Sequence, residues 1–184
     1  MVTRSEAFEL LQRHVENPNL QKHCLATAVA MESLAKKFNA DIEKWYITGL
    51  LHDIDYVQTA NNPERHSLDA VEILEDLGMP ADLIYAVKVH NEMHGLPRES
   101  LLDKSLYAVD PLTGLIVACA LIRPEKKLEV IDCDFVLNRF HEKSFAKGAN
   151  REQICSCSEF GVNLEDFFQI VLDSMKSVSK DLGL

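Results

Sequence analysis

The chain has 184 residues, of which 47% are hydrophobic and 26% charged, and this composition is typical of one folded domain. It excludes a disordered, collagen-like or low-complexity protein. The 29 acidic residues outnumber the 19 basic ones and leave a formal net charge of −10 at pH 7, which argues against a protein that coats nucleic-acid phosphates. We therefore expect a single domain and do not expect a nucleic-acid partner.

The cellular location is predicted from the start of the chain, its apolar stretches and its cysteines. The opening Met-Val-Thr-Arg-Ser-Glu has no apolar region of the kind found in a secretory signal. The longest apolar-rich stretch, Leu112 to Ile122, is too short to span a bilayer. The five cysteines are an odd number without framework spacing, which is typical of reduced thiols in a cytosol. We expect a cytoplasmic protein that does not span a membrane.

Apolar residues recur at helical spacing along nearly the whole chain, whereas alternation of period two is hard to find. Helices are predicted over Thr3–Val15, Asn19–Phe38, the segment from an N-cap at Asp41 through Leu51, His66–Leu77, Pro80 to about Met93, a segment from about Ser100, Cys133–His141, Arg151–Cys157 and Leu164 to about Asp181. Gly78 is expected to end a helix in a left-handed conformation, and Pro111 to bend or cap the helix around it. The stretches 56–65 and 142–150 are expected to be loops. The fold class predicted for residues 1–184 is all-α.

Histidine is concentrated in one part of this pattern, because five of the seven histidines lie between positions 23 and 94. His52 and Asp53 are adjacent and follow the apolar run Gly-Leu-Leu, so they lie at a helix end, where both side chains can point at one ion. Further imidazoles and a carboxylate are spread along the chain, at His23, His66, His90 and Asp110. These residue types suit Mn, Fe, Co, Ni or Zn better than Ca, so we predict a site for divalent transition-metal ions.

Five segments in this order resemble the HD-domain superfamily of metal-dependent phosphohydrolases, especially the branch whose central motif reads His-Asp-Ile-Gly. The segments are "HCLATAVAMESLA", "TGLLHDID", "ERHSLDAVEIL", "VKVHNEMHG" and "LYAVDPLTG". The stretch "FAKGANREQI" onward resembles the tail of a bacterial subgroup with no settled substrate. The resemblance implies a helical HD-type bundle, with the metal-site core at about residues 19–124 and a C-terminal helical extension at about 125–184.

The resemblance also implies a ligand set. It assigns a first metal to four residues, which are His23, His52, Asp53 and Asp110. His66 and His90 match the extra histidines of two-metal members, in which Asp53 is shared between the ions. Two positions depart from the pattern. Asp55 stands where the branch has glycine, and it either changes a turn or adds an outer carboxylate. Asn91 stands where many two-metal members have a second consecutive histidine, so one or two ions are expected.

The function that the resemblance implies is hydrolysis of a phosphate ester, such as a nucleotide or a related small phosphorylated metabolite. A metal-activated hydroxide would attack phosphorus, with His52 and Asp53 as the catalytic pair. His94, on the same helix face as His90, and Arg123 are candidate substrate contacts.

Two other functions stay open on the same ligand set. One is a di-iron oxygenase that acts on a small molecule, and the other is a non-catalytic ligand-sensing module. The apolar C-terminal helix predicts either packing surface or the contact of a homodimer.

Overall fold

The computed structural model describes residues 1–184, which form helices, turns and connecting segments without a β-strand. The helices are α1 (Arg4–His14), α2 (Pro18–Phe38), α3 (Ile42–Leu51), α4 (Tyr56–Thr59), α5 (Leu68–Asp76), α6 (Ala81–His90), α7 (Leu101–Leu121), α8 (Cys133–His141), α9 (Arg151–Cys155), α10 (Leu164–Ser177) and α11 (Ser179–Leu182). Three 3₁₀ turns complete the set, at Glu92–His94, Leu128–Val130 and Ser156–Phe160. The predicted all-α fold is confirmed.

Polar side chains fix the starts of the helices that carry the site. Asp41 accepts a hydrogen bond from the backbone N–H of Lys44 at 3.0 Å, which confirms it as the N-cap of α3. Ser100 and Asp103 form a reciprocal capping box at the start of α7. Because these residues satisfy N–H groups that have no partner within the helix, the two helices begin at defined positions.

The core has two parts that meet along α2. The larger one joins α2 and α7 to the C-terminal helices, with Phe167 and Phe168 of α10 fully buried in it. The smaller one lies between α1, α3, α5 and α6. A Cβ added at Gly49 of α3 would lie 2.8 Å from Cα of Ala28 in α2, so only glycine lets these two backbones approach so closely. This contact sets the end of α3 beside α2.

Several helix boundaries differ from those predicted. The expected loop 56–65 contains the short helix α4, and the helix expected from His66 begins at Leu68. Ser67 has a φ of 68°, a left-handed conformation that a helix cannot include. The helix expected to reach Met93 ends at His90, where Asn91 turns to an extended backbone.

In the second half of the chain, too, some predicted helix boundaries agree with the structure and others differ from it. Pro111 lies inside α7 without ending it, whereas the C-terminal helix is divided at Val178 into α10 and α11. Gly78 adopts a φ of 63° directly after α5, as predicted. Residues 142–150 contain no helix, also as predicted.

The 21-residue helix α7 is long and apolar enough to cross a membrane, and it exceeds the shorter apolar stretch recognised in the sequence. In this fold 61% of its most apolar window is buried. A buried core helix passes the same test of length and composition, so this feature is weak evidence for a membrane span. The cytoplasmic location stays a prediction.

Candidate metal centre

The fold brings the predicted metal ligands together from five segments of the chain. His23 lies in α2, and His52 and Asp53 lie at the end of α3. His66 precedes the turn into α5, His90 is the last residue of α6, and Asp110 lies in the middle of α7. A single cluster of imidazoles and carboxylates results.

Asp53 lies at the centre of this cluster. Its Oδ1 is 3.6 Å from Nε2 of His52 and 3.4 Å from Nε2 of both His66 and His90. Its Oδ2 is 3.7 Å from Nε2 of His23. One carboxylate therefore faces all four imidazoles.

Asp110 faces the other side of the same group. Its Oδ1 is 3.0 Å from Nε2 of His23 and 3.7 Å from Nε2 of His52. Two overlapping triads result, one of His23, His52 and Asp110 and the other of His52, Asp53 and His90, and within each triad the ligand atoms lie within 4.8 Å of one another. The arrangement offers places for one or two ions.

Backbone carbonyls orient two of the imidazoles. Nδ1 of His52 donates to the carbonyl of Gly49 at 2.8 Å, and Nδ1 of His90 donates to the carbonyl of Val87 at 2.5 Å. A carbonyl can only accept, so the proton of each neutral ring lies on Nδ1. Nε2 is then a free lone pair that faces the cluster, which is the form that binds a metal.

Side chains orient the other two imidazoles. Nδ1 of His66 lies 3.0 Å from Oδ1 of the buried Asp55, and Nδ1 of His23 lies 3.1 Å from Oγ1 of Thr113. The Thr113 hydroxyl donates to the carbonyl of Asp110, so it accepts from His23. Asp55 is thus an outer carboxylate, one of the two roles left open by the sequence.

Two buried atoms test whether a metal fits this cluster. His52 is fully buried and His90 is 5% exposed, yet Nε2 of each has no hydrogen-bond partner. Buried polar atoms are nearly always paired, and the exceptions need an explanation such as an ion. Nitrogen and carboxylate oxygen together are the donor set of a divalent transition metal. The residues present therefore fit such an ion.

The imidazoles and carboxylates of the cluster shift one another's pKa values. Burial opposes the charged form of His52, but the Asp53 and Asp110 carboxylates outweigh it and raise the pKa of His52 to about 9. Burial likewise opposes ionisation of the two carboxyls, yet the facing imidazoles hold the pKa of each below its usual range. The pKa of His66 is raised against burial by the carboxylates of Asp55 and Asp53. Imidazoles and carboxylates in the cluster therefore favour one another's charged forms.

Two cavities reach Asp110 of this centre. The larger, of about 380 Å³, is lined by Leu20, His23, Asp53, Tyr56, His66, His90, Asn91, Glu92, Asp110 and Gln153. The second, of about 310 Å³, lies beside His23 and Asp110. No lysine or arginine lines either of these two cavities, but Lys22 lines a third cavity, of about 390 Å³, that reaches His23 and Gly114. Sequence reasoning missed Tyr56 and Gln153, since one follows the motif in a presumed loop and the other lies 43 positions beyond Asp110 without any local signal.

The two predicted substrate contacts lie outside these cavities. Nε2 of His94 is 2.9 Å from the carbonyl of His66, so this side chain supports the backbone behind a ligand. The guanidinium of Arg123 lies 5.6 Å over the ring of Phe135 and 4.0 Å from Glu125. The structure does not bring either side chain to the cluster.

Asn91 also has a local role in place of the second histidine found in many two-metal members. Its side-chain amide donates to the carbonyls of Pro63 and His66, both at 3.0 Å. Asn91 thereby ties the segment before α5 to the end of α6 and helps to hold His66 beside His90.

A helical bundle that gathers four imidazoles and two carboxylates in this way has the metal centre of an HD-type phosphohydrolase. The chain matches the HD domain family model over residues 20–129 and belongs to this family.

Curated relatives extend the comparison. The chain is 26% identical to Ribonuclease Y of Lawsonia intracellularis over 114 residues, which cover 62% of this chain and 20% of that protein. It is 30% identical to Ribonuclease Y of Mycoplasma genitalium over 82 residues, which cover 45% of this chain and 17% of that protein. With Ribonuclease Y of Nitratidesulfovibrio vulgaris it shares 23% identity over 184 positions, which cover 95% of this chain and 34% of that protein. The chain thus spans between 17% and 34% of the length of these relatives, and no solved structure matches it significantly.

Proposed function

We propose that the chain hydrolyses a small phosphate ester, such as a nucleotide or a related phosphorylated metabolite, with one or two divalent transition-metal ions. The observation that carries this proposal is the pair of buried, unpartnered Nε2 atoms of His52 and His90, which face Asp53 within a cluster of further ligands. The family supports the class of reaction, and the cavities support the size of the substrate.

The ligands divide between two positions. His23, His52 and Asp110 would hold one ion, and His66 and His90 would hold a second, with Asp53 reaching both. Bound ions of this kind lower the pKa of a water molecule and stabilise negative charge on phosphoryl oxygens.

Neighbouring residues hold the ligands and shape the larger cavity. Asp55 and Thr113 keep the Nδ1 protons of His66 and His23 in place. At the mouth, Glu92 accepts a hydrogen bond from the Tyr107 hydroxyl at 2.9 Å. Burial and the Glu92 carboxylate raise the pKa of Tyr107 to about 12, so this hydroxyl stays a donor that fixes the carboxylate.

The electrostatics favour a small substrate over a polyanion. A nucleic-acid strand is held mainly by lysine and arginine on its phosphates. The two cavities that reach Asp110 have no such residue, the cavity beside His23 has only Lys22, and the net charge of the chain is −10. A small ester needs only the metal ions to hold its one phosphoryl group.

Hydrolysis of RNA is the second candidate, because the curated relatives are named Ribonuclease Y. It predicts cleavage of an oligoribonucleotide that weakens steeply as salt is raised. A small-molecule esterase predicts little salt dependence and faster turnover of mononucleotides.

The test is a hydrolysis assay of protein loaded in turn with Mn²⁺, Co²⁺ and Ni²⁺. Phosphomonoesters, phosphodiesters and a short oligoribonucleotide serve as substrates. Asp53→Asn is expected to abolish turnover, whereas Asp82→Asn, a similar change at a surface carboxylate paired with Lys44, should leave it unchanged. If the wild type leaves every compound intact, the proposal fails. Two irons per chain with a mixed-valence signal would instead favour an oxygenase.

A further inference from the structure

The cavity of about 310 Å³ beside the metal centre, here called the side cavity, is separate from the mouth lined by Glu92. Two ligands of the centre, His23 and Asp110, form one end of it. The rest is lined only by small, uncharged residues, which are Pro111, Gly114, Ala146, Gly148 and Ala149. Its volume is at the lower end of the range for small-molecule sites, about 300–1,000 Å³.

Gly114 keeps this space open. It lies within α7, one turn after Asp110 and on the same helix face. A Cβ at this position would meet nothing within 4 Å, in contrast to Gly49, where the neighbouring helix leaves no room. Glycine is among the poorest residues in a helix interior, and packing gives no reason for it here. Its effect is to leave room beside a metal ligand.

The opposite wall of the side cavity is a loop held by one arginine. The guanidinium of Arg151 donates to backbone carbonyls around the loop, namely those of Phe140, Glu142, Phe145, Ala146 and Ala149, at 2.6–3.4 Å. Ala146 has a φ of 44°, which alanine adopts only where the surroundings hold it. Arg151 therefore sets the shape of this wall.

An unpartnered imidazole points to a ligand at the same end. His52 is fully buried, its Nε2 has no hydrogen-bond partner, and it lies 3.7 Å from the Asp110 oxygen at the end of the side cavity. His23, His52 and Asp110 would hold an ion that binds the phosphoryl group of the ester, and the side cavity adjoins two of these three residues, His23 and Asp110.

We propose that the side cavity receives the alcohol part of the phosphate ester, with Gly114 as the specificity-determining residue and Arg151 as a positioning residue. This inference rests on the proposed hydrolysis and deepens it. The cavity wall beyond the two ligands carries no charge, so the group it takes is an uncharged organic one, such as an aryl or nucleoside group, and not a second phosphate.

Two phosphonates that cannot be hydrolysed test this proposal by calorimetry on manganese-loaded protein. Phenylphosphonate and methylphosphonate carry the same anionic group and differ only in the organic part. Gly114→Leu is expected to weaken the binding of phenylphosphonate at least tenfold and to change the binding of methylphosphonate less than twofold. Ala118 lies one turn further along α7 and lines neither cavity, so Ala118→Leu, which adds three carbons where Gly114→Leu adds four, should leave the binding of both phosphonates unchanged. Gly114→Ala should raise the melting temperature, since it improves the helix without a clash.

Arg151→Lys tests the loop. A lysine keeps the charge, but its single ammonium cannot reach five carbonyls at once. We expect weaker binding of phenylphosphonate, unchanged methylphosphonate and a lower melting temperature. Arg4→Lys is the matched control, because Arg4 joins α1 to Glu32 and Glu43 away from the centre and should lower only the melting temperature.

The proposal is overturned if Gly114→Leu leaves phenylphosphonate binding unchanged or weakens both phosphonates equally. The positioning role of Arg151 is overturned if Arg151→Lys changes the melting temperature alone. If the wild type hydrolyses nothing and the phosphonates still respond as expected, the proposed hydrolysis fails and the side cavity stands. If the wild type hydrolyses an ester and the binding of the phosphonates does not respond to these substitutions, the proposed hydrolysis stands and the side-cavity proposal fails.

Discussion

The proton on His66 depends on Asp55, which an exchange to asparagine can test. Asp55 is 1% exposed, and its Oδ2 accepts the backbone N–H groups of Ser67 at 2.7 Å and Ala70 at 3.1 Å. Its Oδ1 accepts from Nδ1 of His66 at 3.0 Å. In Asp55→Asn the one remaining oxygen is expected to stay on the two N–H groups. The new amide NH₂ then faces Nδ1 of His66, so the ring proton moves to Nε2 and blocks the metal-binding lone pair.

The magnitude follows from the bonds that change. Loss of an outer carboxylate on a ligand imidazole typically weakens metal binding about 10–100-fold, or about 1.4–2.7 kcal/mol. The metal-free protein exchanges one charge-assisted hydrogen bond for a neutral one, and it should lose only about 1 kcal/mol of stability. Both backbone bonds at the start of α5 are kept.

Titration with Mn²⁺ by calorimetry measures the first quantity, and thermal denaturation in a chelator measures the second. Asp82→Asn, an exposed position, is the control and should change neither by a measurable amount. Unchanged metal affinity in Asp55→Asn would refute the tautomer argument. A loss of stability above about 3 kcal/mol would show that the backbone bonds were lost as well.

Three further predictions concern the centre and the helix contact beneath it. Asp53→Ala removes the carboxylate that faces all four imidazoles, so elemental analysis should find less than about a tenth of the wild-type metal content. In the metal-free protein the pKa of His52 is raised to about 9, so a metal must displace a proton. Metal affinity should therefore rise from pH 6 to pH 8 by about tenfold per pH unit for each proton released. Calorimetry in two buffers that detects no released proton would contradict this. Gly49→Ala sets a Cβ 2.8 Å from Cα of Ala28, and we expect a loss of about 1–3 kcal/mol in thermal denaturation, so an unchanged melting temperature would refute the close contact.

Local signals in the sequence predicted most of the fold, and the errors have a common cause. The apolar period and cap residues such as Asp41 act within one or two turns, so they can be recognised without tertiary structure. The late start of α5 and the early end of α6 depend on distant partners instead. Ser67 is held by Asp55, twelve positions away, and Asn91 bonds to Pro63 and His66. No local pattern reports such bonds.

The candidate site was predictable in its ligands and unpredictable in its walls. Imidazole and carboxylate are rare together on core-forming segments, and the resemblance to the HD superfamily assigned these residues as ligands. His94 has the correct helical spacing from His90, but a 3₁₀ turn after α6 directs it to the backbone behind the centre. Arg123 follows the Asp110 helix, yet it stacks on Phe135.

The amino-acid sequence by itself determined the helical class and the residue types that can hold a divalent metal, because both depend on side-chain chemistry and short-range period. Only the tertiary structure decided which nitrogen of each imidazole faces the centre and which residues line the substrate space. His23 and Thr113 are in contact although they are 90 positions apart. Arg151 shapes the wall of a cavity whose other end is formed by His23 and Asp110, both far earlier in the chain. These relations arise from the packing of α2, α7 and the C-terminal loop against one another, so they exist only in the folded chain.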